Sequence, residues 1–179
     1  MKTALLVIDV QQALCSGEEA AFDIERVIES INTLSAAARA AGVPVVLIQH
    51  EEDDGPLKFD TAGWQLTRGL VTAPADLRVR KTASDAFHRT ELQALLEARG
   101  VDRLIVCGLQ TEYCVDTTVR RALALGYPVT LVADAHSTLA SPVLSAAQII
   151  AHHNTTLQHM TSFGPRVSVV AAADVRLDA

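Results

Sequence analysis

The chain has 179 residues, of which 49% are hydrophobic and 20% are charged, and its net charge is −6 at pH 7. This composition is typical of a single folded domain over residues 1–179 and not of a disordered chain. The acidic balance, with no run of Lys or Arg, argues against nucleic acid or an anionic membrane surface as a partner.

The cysteines and the N-terminal segment favour a cytoplasmic protein. Cys15, Cys107 and Cys114 have irregular spacing, so they predict neither a disulfide framework nor a CxxC metal site. The first apolar run ends at Asp9 after about seven residues, which is too short for a signal peptide or a membrane span.

Short apolar runs alternate with longer amphipathic stretches along the chain. The apolar runs predict strands at residues 4–10, 43–49, 77–80, 104–107, 129–132 and 167–171. Helices are predicted at about 23–41, 90–99, 114–125 and 141–153, from capping residues at their starts and from glycines or length at their ends. Because the strands are apolar on both faces, we expect an α/β fold: a three-layer Rossmann-like domain with about six mostly parallel strands and helices on both faces.

Residues 50–76 carry no predicted helix or strand, and a loop this long is usually functional or a subunit contact. Chemistry-bearing residues follow the predicted strands: Asp9 after the first, Lys81 after the third and Cys114 after the fourth, while His136 follows the fifth. Ligands of parallel sheets bind beyond the carboxyl ends of the strands. An acid, a lysine and a cysteine there are suited to acyl transfer.

Cys114 is predicted to lie where a helix begins. The partial positive charge and the free N–H groups of a helix N-terminus favour a thiolate. The same N–H groups can bind an oxyanion. Cys107, within a strand, is predicted to be core, and Cys15 is predicted to pack near the rim of the sheet.

Four segments resemble motifs of the isochorismatase-like cysteine hydrolases, which include nicotinamidases and other amidases. They are LLVIDVQ at 5–11, KTASDAF at 81–87, VCGLQTEYCVDTT at 106–118 and VADAH at 132–136. The resemblance implies a catalytic triad of Asp9, Lys81 and Cys114. It also implies a cis peptide between Leu109 and Gln110, and an oxyanion hole formed by the backbone N–H groups of Gln110 and Cys114.

We expect no metal and no other cofactor. Nicotinamidases of this family carry an Asp-x-His and a further His in the loop after the second strand. Here residues 49–55 read QHEEDDG, and no second histidine precedes His88. Since no ligand set for zinc or iron can be assembled, nicotinamidase activity is not expected.

Substrate contacts are predicted at Gln12, His50, Trp64, Phe87 and Tyr113. Trp64, in the long loop, is interpreted as either an apolar wall for a small substrate or a subunit contact.

The leading hypothesis is a cysteine-dependent hydrolase that cleaves the C–N bond of a small amide or ureide through a thioacyl-enzyme intermediate. One alternative is hydrolysis of a vinyl ether, as in true isochorismatases, which in the family pattern lack the nucleophilic cysteine. Another is a non-catalytic oligomeric protein in which Cys114 oxidises reversibly. The resemblance implies a homodimer or homotetramer.

Overall fold

A computed structural model describes residues 2–177 and contains one six-stranded parallel sheet over that range. The strand order is β3-β2-β1-β4-β5-β6. The strands are β1 (Thr3–Ile8), β2 (Val45–His50), β3 (Leu77–Lys81), β4 (Arg103–Leu109), β5 (Val129–Ser137) and β6 (Val167–Val170). The predicted α/β architecture is confirmed.

Helices cover both faces of the sheet. They are α1 (Gln12–Cys15), α2 (Ile24–Ala40), α3 (Leu92–Glu97), α4 (Asp116–Ala124) and α5 (Ala146–Gln158), with a π-helical turn (Thr111–Val115) leading into α4 and a 3-10 turn at Ala172–Asp174. Helix α2 packs in one hydrophobic core, and α3, α4 and α5 contribute to the other. None of the helices within residues 2–177 combines the length and the hydropathy that a membrane span requires.

Strand β1 supplies side chains to both cores. Leu6 and Ile8 belong to the core beside α4, whereas Leu5 and Val7 belong to the core beside α2. A strand buried on both faces has no polar face, which is why its sequence is a continuous apolar run.

The helix predicted at about 141–153 begins later in the structure. Ser141 is not its start, because the Ser141 hydroxyl accepts the N–H groups of Val143 and Leu144 in a local turn. Helix α5 instead begins after Ser145, whose side chain and that of Gln148 form a capping box. The capping box satisfies two backbone N–H groups that would otherwise lack partners, so it defines the helix start better than the Ser-Pro pair.

Strands β1 and β4 lie side by side at the centre of the sheet, where the strand order changes direction. Gly108 pairs with Ile8 and has a φ of +113°. A Cβ atom at residue 108 would overlap the carbonyl oxygen of Ile8. Glycine therefore allows the close approach of the two strands that lead into the crevice where open parallel sheets bind ligands.

Candidate active site

Three side chains that follow different strands meet at the carboxyl edge of the sheet. Asp9 follows β1, Lys81 is the last residue of β3, and Cys114 lies in the π-helical turn after β4. The Nζ atom of Lys81 is 2.7 Å from Oδ2 of Asp9 and 3.3 Å from Sγ of Cys114. The ammonium group thus contacts both a carboxylate and a thiol.

Asp9 and Lys81 form an ion pair whose side chains are 1% and 0% exposed. Burying either charge alone would be strongly unfavourable, so each depends on the other. Apart from this ion contact, neither carboxylate oxygen of Asp9 has a hydrogen-bond partner of good geometry within the described residues. The carboxylate therefore retains the capacity to accept a proton.

Cys114 is a thiol in this arrangement. Burial, and secondly the charge of Asp9, raise the pKa of Cys114 to about 12, while the charge of Lys81 acts in the opposite direction. This rise in pKa is opposite in direction to the shift expected for a thiol at a helix N-terminus. Cys114 is the fourth residue of the π-helical turn, and burial beside a carboxylate outweighs the favourable ammonium.

His50 lies on the other side of Lys81. Its Nδ1 atom is 3.3 Å from Nζ of Lys81. Because an ammonium can only donate hydrogen bonds, Nδ1 is the acceptor and the ring proton is on Nε2. Burial, and then the charge of Lys81, lower the pKa of His50, so the ring is neutral at pH 7.

A cavity of about 300 Å³ opens onto Cys114. Of the predicted site residues, Asp9, His50, Gln110, Tyr113 and Cys114 line it. The remaining lining residues, which the sequence reasoning did not select, are Leu14, Glu52, Leu57 and Ser84. Ser84 lies within the 81–87 motif and Glu52 lies two residues beyond His50, so both had a sequence signal, whereas Leu57 had none.

Three predicted substrate contacts lie elsewhere. Phe87 is buried in the core and stacks on Tyr127. Gln12 uses its side-chain oxygen to accept the N–H of Arg68, and Trp64 is buried against the ring of Phe59. None of the three is among the residues that line the cavity, because each side chain is committed to packing or to holding the long loop.

Gln11, which ends the 5–11 motif but was not among the predicted site residues, holds the loop against the sheet. Its side-chain nitrogen donates to the carbonyl groups of His50 and Trp64, and its side-chain oxygen accepts the N–H of His50. Gln11 is fully buried, so these bonds are made away from solvent. The loop entrance is thereby tied to the end of β2, beside the candidate nucleophile.

The turn that carries Cys114 begins with a cis peptide bond between Leu109 and Gln110. Thr111 of this turn is joined to the ring of His136 by a hydrogen bond of 2.8 Å. Nε2 of His136 is 2.9 Å from the side-chain oxygen of Asn154. His136 is thus not at the rim as predicted. Strand β5 runs on to Ser137, so His136 is buried within it, and burial is the first cause that lowers the pKa of His136 to about 4.

The other two cysteines are buried. Burial raises the pKa of both thiols, to about 12 for Cys15. Within residues 2–177, no group of three or more His, Cys, Asp or Glu side chains is placed to hold a metal ion.

Residues 3–170 match the family model described as the isochorismatase domain. A streptothricin hydrolase of Streptomyces noursei is 45% identical over 78% of this chain and 51% of its own length; the chain thus spans about half of that relative. The ureidoacrylate amidohydrolase RutB of Caulobacter vibrioides is 31% identical over 74% of this chain and 76% of its own. The crystal structure of a cysteine hydrolase from Pseudomonas syringae pv. phaseolicola superimposes with a TM-score of 0.86 at 28% identity, covering 97% of this chain and 90% of the other.

Proposed function

Because the chain belongs to the isochorismatase domain family, we propose that it is a cysteine-dependent hydrolase that cleaves the C–N bond of a small amide or ureide. The observation that supports this most directly is the contact of Lys81 Nζ with both the Asp9 carboxylate and the Cys114 thiol. Nucleophile and proton acceptor are then held by one cation in one cavity.

In the first half of the reaction, Sγ of Cys114 attacks the substrate carbonyl carbon while its proton passes to Asp9. The carbonyl π electrons move to oxygen, and we propose that the backbone N–H groups of Gln110 and Cys114 bind this oxyanion. The oxyanion then reforms the carbonyl and the C–N bond breaks. The leaving nitrogen takes the proton from Asp9, and a thioester on Cys114 remains.

In the second half, water attacks the thioester and Asp9 accepts a proton from it. The tetrahedral intermediate expels the Cys114 sulfur, which regains that proton, and the acid product leaves. The positive charge of Lys81 pairs with the Asp9 carboxylate at the start of each half-reaction and stabilises the sulfur when it carries negative charge.

The pKa of Cys114 bears on the alternative of a redox sensor. Sensor cysteines combine a low pKa with solvent access, whereas burial raises the pKa of this thiol. A proton acceptor in contact with the same cation suits a nucleophile that is activated only when substrate is present. The similarity to the ureidoacrylate amidohydrolase favours hydrolysis at nitrogen over the vinyl ether reaction.

The proposal also covers the domain organisation, the cellular location and the oligomeric state of the enzyme. We take the chain as a single catalytic domain that acts in the cytoplasm as a homodimer or homotetramer. Phe22, Val143 and Leu144 are exposed apolar side chains, and apolar surface of this kind is often covered by a subunit.

The test is an amide and ureide panel with ammonia release as the readout, with isochorismate assayed in parallel. We expect turnover of at least one C–N substrate and a loss of at least about a thousandfold in Cys114→Ala, as for removal of other covalent nucleophiles. Cys15→Ala, which removes a buried thiol outside the cavity lining, is the matched control and should keep its activity. Undiminished hydrolysis in Cys114→Ala would falsify the cysteine mechanism.

A further inference from the structure

One carboxylate in the cavity wall has no Lys or Arg partner among the described residues. Glu52 lines the cavity and its side chain is 50% exposed. The basic side chain nearest to it in an ion contact is His50, whose Nε2 atom is 3.8 Å from Oε1 of Glu52. In residues 2–177, no Lys or Arg forms an ion pair with Glu52.

Three neighbouring carboxylates have cationic partners. Asp9 is paired with Lys81 inside the cavity. In the loop, Glu51 is paired with Arg80 at 2.7 Å and Asp54 lies 3.7 Å from Lys58. Since the His50 ring accepts a hydrogen bond from the Lys81 ammonium at Nδ1, it carries no positive charge. Glu52 therefore leaves the cavity with a net negative charge.

The rest of the lining contains both polar groups and apolar side chains. Cys114, Asp9 and Gln110 supply the groups of the proposed reaction, whereas Leu14 and Leu57 are apolar. A substrate that fills about 300 Å³ would place its carbonyl at Cys114 and its carbon chain against the leucines. A charged group at its far end would meet Glu52 or open solvent.

We propose that this cavity selects substrates with a positively charged group, an ammonium or a guanidinium, which Glu52 binds while the amide or ureide carbonyl lies at Cys114. The identity of the bond that is cleaved rests on the proposed function, but the preference for positive charge does not. A single carboxylate at a cavity mouth attracts cations and repels anions, and both effects contribute to specificity.

The preference can be measured at Cys114 without any substrate, using three methanethiosulfonate reagents that carry a trimethylammonioethyl, a methyl or a sulfonatoethyl group. In each reaction the Cys114 sulfur forms a disulfide with the reagent and methanesulfinate leaves. Each rate constant is divided by the rate constant of the same reagent with a small neutral thiol, and Cys114→Ala supplies the background. We expect the cationic reagent to react at least about fivefold faster than the anionic one at low ionic strength.

Glu52→Gln should lower the cation-to-anion ratio by about threefold or more. The ratio is informative because a change in the pKa of Cys114 alters all three rates equally. Asp53→Asn removes the same charge from an exposed position of the same loop that is not in the cavity lining, and it should leave the ratio unchanged.

The proposal is overturned if Glu52→Gln keeps the wild-type ratio, or if Asp53→Asn lowers it as much. Absence of ammonia release from every amide, together with a cation preference that depends on Glu52, would instead reject the proposed hydrolase and leave the charge preference standing.

Discussion

At the scale of single residues, the site depends on how one buried ammonium is shared. Lys81 lies within 3.3 Å of both the Cys114 sulfur and the His50 ring, and within 2.7 Å of Asp9. An ammonium has three donors, and these neighbours account for all of them. The cation therefore has one orientation, and it holds the Asp9 carboxylate and the Cys114 thiol at fixed positions relative to each other.

The charge of Asp9 should control the reactivity of Cys114 toward alkylation. Asp9 raises the pKa of Cys114 after burial does, so Asp9→Asn removes one cause of the shift and increases the thiolate fraction. We expect iodoacetamide at pH 8 to label Cys114 faster in this variant, by up to about tenfold for each pH unit by which the pKa falls, while hydrolysis is lost. Labelling rates followed by mass spectrometry and ammonia release measure the two effects.

Asp54→Asn is the control for this comparison, because the Asp54 side chain is 97% exposed. It should change neither the labelling rate nor the hydrolysis. If Asp9→Asn leaves the Cys114 labelling rate unchanged or slows it, the Asp9 carboxylate does not raise the pKa of the Cys114 thiol.

At the scale of elements, the site depends on how β1 and β4 end. Asp9 follows β1 with a φ of 51°, and the π-helical turn after β4 carries Cys114. The two strands come close enough to bring these residues together because Gly108 has no side chain at the contact with Ile8. The hydrogen bond between the Thr111 hydroxyl and the His136 ring then holds the turn against β5.

Gly108→Ala should therefore separate the two strands that lead to Asp9 and Cys114. Its Cβ atom would overlap the Ile8 backbone, and the φ of +113° also disfavours any side chain. We expect a loss of about 3 kcal/mol or more in the free energy of unfolding by urea, together with loss of hydrolysis.

Gly126→Ala separates the effect of the unfavourable φ from the effect of steric overlap, since Gly126 has a φ of +96° but open space where its Cβ would lie. Conformational strain alone costs about 1–2 kcal/mol there. Equal destabilisation by the two substitutions would mean that close approach of β1 and β4 is not what requires Gly108.

At the scale of the whole molecule, a sheet with two apolar cores also contains a buried histidine. His136 is 1% exposed, and burial is the first cause that lowers its pKa from 6.5 to about 4. Asn154 and Asp134 favour its protonation, whereas His153 opposes it. The folded protein thus keeps this ring neutral under conditions in which the unfolded chain protonates it.

Stability should consequently fall as the pH falls from 6.5 towards 4. In that range the unfolded chain binds more protons at His136 than the folded protein does, so the free energy of unfolding decreases with acidification, by up to about 3 kcal/mol in total. Urea unfolding at pH 7 and pH 4.5 measures the difference. His136→Gln should reduce this pH dependence, whereas His152→Asn, at an exposed position, should retain it. If the free energy of unfolding of His136→Gln depended on pH as strongly as that of the wild-type protein, His136 would not be the source of the pH dependence.

The local features of the sequence were sufficient for the fold and for the positions of the candidate catalytic residues. Strand β1 is an apolar run because it is buried on both faces, and Asp9 marks its end. Strand β3, which Lys81 ends, instead alternates between exposed arginines and buried side chains. The place of Asp9 and Lys81 at one edge follows from parallel pairing alone. The errors in helix bounds arose where two capping signals competed, as at Ser141 and Ser145.

The amino-acid sequence by itself thus determined the parallel α/β architecture, because buried strands leave local apolar runs, and it placed Asp9, Lys81 and Cys114 after three of the strands. Their choice as a triad came from the resemblance of their motifs to the family. Only the tertiary structure decided that Phe87 belongs to the core, that Glu52 and Leu57 line the cavity, and that the pKa of Cys114 is raised. These depend on how the loop over residues 51–76 folds across the sheet edge and on how deeply each side chain is buried. The burial of a side chain depends on contacts with residues that are distant in sequence, so no local sequence pattern predicts it.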